Sequence, residues 1–391
     1  MAIEGRGDAS AGRRIRLGMV GGGQGAFIGA VHRLAARMDD QYVFLAGALS
    51  ADAKRARASG EELGLAPDRI YSDYHDMAKA EAKRDDGIEA VAIVTPNNVH
   101  VPAAIAFIDA GIHVICDKPL AFSLAEAKAL ERKLAKKPDI VFALTHNYSG
   151  YPMVRQAREM VRAGELGEIR VVQGEYPQDW LTNPIEREGQ KQATWRTDPK
   201  QTGAGGAVGD IGTHTYQLAC FMSGLAADEL AADLTTFVKG RKVDDNVNVM
   251  LRFKGGARGM IWASQVSPGN ENGLKIRIYG SKGGLEWTQA DPNYLWYTPF
   301  GETKRLITRG GAGSGTAAAR VTRVPPGHPE GYLEGFANIY TEVARAIRAK
   351  REGRKVEEGV TFPGIADGVA GMAFIEACVK SSARNGKWVK V

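Results

Sequence analysis

From Arg14 to about residue 147, short apolar runs alternate with stretches of helical period, and this alternation constrains the fold more than any other feature. Residues 15–20 read as a strand, 29–38 as a helix, 42–49 as a strand and 52–63 as a helix closed by Gly64. Ala90-Val91-Ala92-Ile93-Val94-Thr95 and His113-Val114-Ile115-Cys116 are continuous apolar runs, as strands buried on both faces require. Helices at 102–110 and 124–134 and a strand at 140–144 complete the series. Such alternation specifies a parallel, doubly wound sheet whose connections share one hand.

The texture changes after Tyr151. A helix at 153–163 and a strand at 169–176 precede a polar, glycine-rich loop at 178–209. A helix at 213–222 follows, then strands in series at 230–238, 247–253, 257–264, 274–279 and 284–288. Strands without helices between them imply a mostly antiparallel sheet. After a flexible loop at 310–315, helices at 331–350 and 364–383 close the chain. The expected organisation is a flexible tail at 1–13, an α/β domain at 14–147 and an α+β domain with a large open sheet at 148–391.

Composition removes several function classes. The 391 residues suit two domains of ordinary size, and 44% apolar with 25% charged residues excludes global disorder. Fifty-one Lys and Arg against 45 Asp and Glu give a net charge of +6. These charges are scattered rather than gathered in a stripe, so nucleic acid is not an expected partner. Cys116, Cys220 and Cys378 form no paired spacing, which fits a reducing cytoplasm. No run approaches the ~18 apolar residues of a membrane span, and the first residues lack a signal-peptide core. Arg6-Gly7-Asp8 is a chance match to an adhesion tripeptide.

Gly21-Gly22-Gly23-Gln24-Gly25-Ala26 has the form G-x-G-x-x-A, follows a strand and opens a helix. Glycine lets the backbone approach a pyrophosphate there, and the helix N-terminus supplies N–H donors. The turn therefore marks a dinucleotide site of Rossmann type. Candidate contacts are Gly21, Gly23, Gln24, Gly25, Ala26 and Phe27. Ser50 and Asp52 end the second strand, where an acidic residue binds ribose hydroxyls. Asp52 reads equally as a helix N-cap. Lys54, Arg55 and Arg57 beside it would suit a 2′-phosphate or form a solvated helix face. NAD is the expected cofactor, with NADP not excluded.

Further motifs join the turn in order: Thr95-Pro96-Asn97-Asn98-Val99-His100, Cys116-Asp117-Lys118-Pro119 and Asp210-Ile211-Gly212-Thr213-His214. In this order and spacing the chain resembles the Gfo/Idh/MocA family of sugar and cyclitol oxidoreductases, from Arg14 to the end. The family usually has glutamate where this chain has Asp117. The resemblance implies that Thr95, Pro96, Asn97 and His100 line the cofactor, with Asp117 and Asn147 contributing. It implies that Lys118 lies near the nicotinamide and the reacting hydroxyl, and that Asp210 and His214 form the substrate-side pair. It implies that Trp195 and Arg196 lie near the sugar. Tyr148 and Gln178 are further candidate substrate contacts, Gln178 within a stretch at 173–195 rich in Tyr, Trp, Gln and Asp, which stack on and hydrogen-bond to sugar rings or form an exposed loop.

The residue types suit these roles. Asp210 and His214 share a helix face at i, i+4, and a carboxylate orients a general-base imidazole. The Lys118 ammonium can steady a developing alkoxide. A metal is not expected, because further ligands at metal-like spacing are missing. The expected reaction is reversible oxidation of a secondary alcohol on a sugar, glycoside or cyclitol, at C3 by family analogy, with the nicotinamide facing the inter-domain cleft. Two alternatives stay open: a glycosidase or lyase that oxidises C3 transiently, and a non-catalytic sugar or dinucleotide sensor. A homodimer or homotetramer is expected, because the open sheet face needs covering.

Overall fold

A computed structural model describes residues 13–391; residues 1–12, with the Arg6-Gly7-Asp8 tripeptide and nearly all of the expected tail, lie outside the described residues. The first half runs β1 (Ile15–Gly21), α1 (Phe27–Met38), β2 (Tyr42–Ala48), α2 (Ala53–Glu62), α3 (Tyr74–Glu81), β3 (Ala90–Val94), α4 (Asn97–Asp109), β4 (His113–Cys116), α5 (Leu124–Leu134) and β5 (Phe142–Leu144). Then follow α6 (Pro152–Arg162), β6 (Ile169–Pro177), α7 (Lys191–Arg196), α8 (Pro199–Thr202), a π turn at Val208–Gly212 and α9 (Thr213–Ser223). The chain continues through β7 (Ala227–Thr235), β8 (Asn246–Phe253), β9 (Arg258–Ser264), β10 (Lys275–Gly280), β11 (Gly283–Thr288), β12 (Tyr294–Pro299) and β13 (Arg305–Thr308). It ends with α10 (Thr316–Ala319), α11 (Tyr332–Arg351), α12 (Ile365–Ser382) and β14 (Val389–Lys390).

The chain divides into two compact units. Of the described residues, the first holds 13–150 and 332–369, the second 151–331 and 370–391. In the first, five parallel strands stand in the order β2-β1-β3-β4-β5. Every residue of β3 is buried, as its unbroken apolar run demands. Asp52, Asp73 and Ser123 cap α2, α3 and α5 by accepting backbone N–H bonds. Gly64 and Gly111 follow α2 and α4 with φ of +70° and +79°, the left-handed exit that glycine permits.

Helix α3 was not foreseen, and two further details of the first unit depart from the sequence reading. Helix α4 starts at Asn97 rather than at Pro102, and Pro102 sits inside it. The second is α11, expected within 148–391, which packs instead in the first unit. Its Tyr340 hydroxyl lies 2.8 Å from His32 Nδ1 on α1, and its Tyr340 carbonyl accepts from the Tyr42 hydroxyl at 2.8 Å. A Cβ on Gly150 would stand 2.1 Å from the Gly335 carbonyl oxygen, so only a bare backbone lets α11 seat there. Apolar burial on α1 drives the arrangement, and linear order along the chain does not disclose it.

The second unit is built on a nine-stranded sheet, β13-β12-β11-β10-β6-β9-β8-β7-β14. All neighbours are antiparallel except β6 and β9. Its inner rows carry Val249, Ile261, Gly174, Ile276 and Trp287. Helices α6 and α9 pack against strands of this sheet. Gly174 makes room for α9, since a Cβ there would meet Thr215 Cγ2 at 2.4 Å. The opposite face carries one continuous cross-strand row: Met250, Met260, Gln173, Arg277, Glu286, Trp296 and Leu306. Strands β12, β13 and β14 were not foreseen, the last two being the edges of the sheet. The last two are four and two residues long, too short for an alternating pattern to register. The expected loop at 178–209 holds α7, α8 and a 3₁₀ turn at Ile185–Glu188.

Candidate functional site

In the first unit the candidate cofactor residues gather at the carboxyl ends of β1, β3, β4 and β5, where open α/β sheets bind ligands. Gly21, Gly22 and Gly25 take φ of +79°, +72° and +74°. A Cβ on Gly21 would meet Thr95 Cγ2 and the Val94 carbonyl oxygen, each at 2.9 Å. The residue that lets α1 approach the turn is Gly29, not Ala26: a Cβ there would lie 2.4 Å from both Gly22 Cα and the Gly22 oxygen. No side chain caps the first turn of α1 and no acidic residue sits in it, which leaves its N–H groups to an anion.

The turn is braced from α1 and α2. Gln24 N–H donates to Ser59 Oγ at 3.1 Å, Gly23 N–H to the Leu49 carbonyl at 3.3 Å, and Arg33 to the Gly22 carbonyl at 2.9 Å. Gly22, Gly29, Arg33 and Ser59 are site-building residues that the sequence reading did not single out. The run of glycines past Gly23 was the available signal. Asp52 is an exposed N-cap that accepts the Arg55 N–H at 2.8 Å. Ser50 Oγ in turn accepts the Asp52 N–H at 3.2 Å. Phe27 stands 66% exposed beside the turn.

Two buried polar atoms in this cradle have no hydrogen-bond partner: Thr95 Oγ1 and Asn147 Nδ2. Such a group costs about 1–3 kcal/mol unless something completes it. Both are residues expected to touch the cofactor, so the chain's own atoms fit a bound dinucleotide. His100 plays a different part. Its two ring nitrogens lie 2.8 Å from the Thr95 and Pro119 carbonyls, and it is buried. It ties the loop after β3 to the loop after β4. Burial pushes its pKa below the usual value, against the pull of Asp117.

Asp117 Oδ1 accepts the Lys118 N–H at 2.9 Å and the Thr145 hydroxyl at 2.8 Å. Burial alone would raise its pKa, but His32, Lys118 and His100 hold it well below the usual carboxylate range. Asp117 thus fixes the backbone of Lys118, which is half-buried. Asn147 and Tyr148 are buried in the turn after β5. Next to them, burial and the Lys118 charge push His146 down to about 3, so it stays neutral at physiological pH.

In the second unit Asp210 lies in the π turn and His214 in the first turn of α9. Single π turns inside helices recur at functional sites. Asp210 Oδ2 accepts from Arg196 at 3.3 Å and from Gln265 at 2.9 Å. The Arg196 guanidinium stacks 4.2 Å from the Trp195 ring and faces Trp180 at 6.0 Å. Trp180 donates to Gln178 at 3.1 Å, and Gln178 donates to Asn272 at 2.8 Å. Tyr176 hydroxyl also reaches Asn272, and its ring centroid lies 6.3 Å from that of His214. Gln178, Trp195, Arg196 and Asp210 therefore form one connected set, joined by Trp180, Gln265 and Asn272, which the motifs did not mark. Among the described residues no group of three His, Cys, Asp or Glu side chains could hold a metal ion.

Residues 15–145 match the oxidoreductase family with NAD-binding Rossmann fold, and residues 154–286 match the GFO/IDH/MocA C-terminal domain. A solved oxidoreductase from Sinorhizobium meliloti is 60% identical, with 97% of this chain and 100% of that chain covered and a TM-score of 0.88. An inositol dehydrogenase homolog from Azotobacter vinelandii, solved with NADH and myo-inositol, is 36% identical over 97% of this chain and 98% of that chain, with a TM-score of 0.91. Levoglucosan dehydrogenase from Pseudarthrobacter phenanthrenivorans is 28% identical over 97% of this chain and 98% of its own length.

The unpaired Thr95 oxygen makes a testable prediction. Thr95→Val keeps the shape and removes a polar atom that has no partner, so thermal stability should hold or rise while NAD⁺ affinity falls about tenfold, near 1.4 kcal/mol. Calorimetric titration and a melt read both; lost stability with affinity intact would contradict the assignment. A second prediction concerns pH. Burial holds His146 at about 3 and His113 at about 4, whereas an unfolded histidine titrates near ~6.5. The unfolded chain then binds more protons, so stability falls as pH drops from ~6.5 toward ~4. Urea midpoints across that range should decline, and a flat profile would refute it.

Proposed function

The chain belongs to the Gfo/Idh/MocA oxidoreductases, as an NAD-binding member, and from that premise we propose that it oxidises a secondary alcohol of a sugar or cyclitol, reversibly. The observation that carries this reading is the connected set around Asp210, in which a carboxylate, two tryptophans, an arginine and three amides share one network beside His214. Flat aromatic rings with interleaved amides suit a polyol, which offers C–H faces and many hydroxyls.

A bound nicotinamide supplies the hydride acceptor. The chain supplies the rest. His214 takes the hydroxyl proton on its imidazole, and Asp210, one turn earlier, steadies the charge that imidazole gains. The Lys118 ammonium, its backbone fixed by Asp117, stabilises the negative charge that grows on the alcohol oxygen. The exposed Asp52 favours NAD over NADP, because a carboxylate accepts ribose hydroxyls and repels a 2′-phosphate. Arg57 of α2 is engaged with Glu61 at 2.9 Å, which supports the same preference. The three cysteines are unbridged, in keeping with a reducing cytoplasm. No helix among the described residues is long and apolar enough to cross a membrane.

We propose further that a second copy of the chain covers the outer face of the nine-stranded sheet. Met250, Met260, Trp296 and Leu306 there are 55%, 50%, 37% and 43% exposed, and Arg277 stands between Glu175 and Glu286 on the same face. Met260→Glu should then yield a smaller species by light scattering; unchanged mass would remove this interface.

A panel of sugars, glycosides and inositols, offered with NAD⁺ and NADP⁺ separately, tests the activity. Reduced nicotinamide should accumulate with a polyol, hexoses with a free C3 hydroxyl and inositols being the first to try. Release of a free sugar without accumulation would replace this reading with the redox-assisted glycosidase. His214→Ala and Lys118→Met should each lower kcat by about 10²–10⁴-fold while NADH affinity stays within about twofold. Full turnover in both would refute the mechanism.

A further inference from the structure

The connection between β7 and β8 exposes Phe237, Lys239 and Lys242, yet three of its five charged side chains are buried: Arg241, Asp244 and Asp245 are 8%, 7% and 0% exposed. Asp245 and Arg241 anchor loops. Asp245 accepts the Phe237 and Val238 N–H groups at 2.8 and 3.0 Å and pairs with Arg241 at 3.1 Å. Arg241 in turn donates to the Leu181 carbonyl at 3.0 Å and to Glu186. Asp244 serves a different segment. Its Oδ1 accepts the Gly206 N–H at 2.6 Å, its Oδ2 accepts the Val208 N–H at 2.8 Å, and its carbonyl accepts the Ala207 N–H at 2.9 Å.

Three successive backbone donors therefore end on one residue, immediately before Asp210. The first N–H groups of a helical segment have no partner inside it, and a π turn adds none. Buried as these are, they need an acceptor from elsewhere. The fit leaves no slack: a Cβ on Gly206 would stand 2.1 Å from the Asp244 carbonyl oxygen. Asp210 N–H bonds back to the Gly206 carbonyl at 2.9 Å, so the placement of Gly206 passes directly to Asp210. The carboxylate is kept there at a cost. Burial raises Asp244 to about 6, with Asp245 adding to the rise, although the Val208 and Gly206 N–H groups pull it down.

We propose that Asp244 is a positioning residue for the reaction, whose carboxylate sets the entry to the π turn and through it the placement of Asp210 relative to His214. This rests on reading Asp210 and His214 as the acid–base pair. A neutral apolar loop could close the sheet and its backbone carbonyl could still take the Ala207 N–H; it could not accept the Gly206 and Val208 N–H groups ahead of Asp210.

Asp244→Asn keeps the volume but turns one acceptor into an N–H₂ facing an N–H. NMR titration of the His214 imidazole in the full chain, identified by its loss in His214→Gln, needs no substrate. In Asp244→Asn the midpoint should move by about 0.5 pH unit or more, because the neighbouring carboxylate has shifted. Turnover with a polyol substrate should fall about tenfold or more, with KM for NAD⁺ within about twofold. Gly206→Ala, which pushes the same entry from the other side, should act in the same direction. A folded Asp244→Asn chain with unchanged His214 titration and unchanged kcat overturns the proposal. In the unmodified chain, Gly206 and Val208 amides should exchange with solvent among the slowest of the unit; exchange as fast as in an exposed turn overturns it without any variant. His214→Ala, assayed alongside, separates the two readings: full turnover there defeats the acid–base assignment, whereas lost turnover with an unaffected Asp244→Asn defeats only the role of Asp244.

Discussion

Gly22 and Gly29 come so close that neither can carry a side chain, and the first unit is organised around that contact. A Cβ on Gly22 would lie 2.9 Å from Gly29 Cα, and the reverse approach is tighter still. The contact brings the uncapped N-terminus of α1 down onto the end of β1, next to the point where the strand order reverses between β1 and β3. Backbone N–H groups and a helix dipole then meet at one place, which is what a pyrophosphate requires. Thr95 and Asn147 present incomplete hydrogen bonds from the ends of β3 and β5. A dinucleotide bound as proposed would complete them.

The second unit solves the opposite problem. Its charged groups are not left open but are held by one another and by backbone. Arg241, with no side-chain exposure, spans Leu181, Glu186 and Asp245, and so joins the loop that carries Trp180 to the connection before β8. Removing one partner of such a buried pair costs about 3–5 kcal/mol, since the other charge is left stranded. The aromatic set around Asp210 therefore rests on a stiff frame, which suits the proposed holding of a reacting hydroxyl.

Most of the first unit was legible because helices and strands there obey simple periods and end on glycine or capping residues. Asp52, Gly64, Ser123 and the buried run at Ala90–Val94 are such cases. The motif residues were legible as residue types, and the structure separates their parts. Thr95 and Asn147 offer free polar atoms, whereas His100 is committed to two carbonyls. What escaped depends on contacts distant in sequence. Helix α11 docks on α1 through Tyr340 and His32, 308 positions apart. Arg33, Ser59, Gln265 and Asn272 carry no local signal, because each matters only through a partner brought by the fold. Asp244 is read from sequence as one more acid before a strand.

In the proposed reaction Lys118 and His214 serve one chemical step. A double-mutant cycle on turnover measures this directly, with Lys118→Met, His214→Ala and the pair compared on one polyol substrate. Groups that act on the same bond lose catalysis together, so the pair should be no more than about tenfold slower than the worse single variant. Losses that multiply in full would contradict it, for then the two residues would contribute independently.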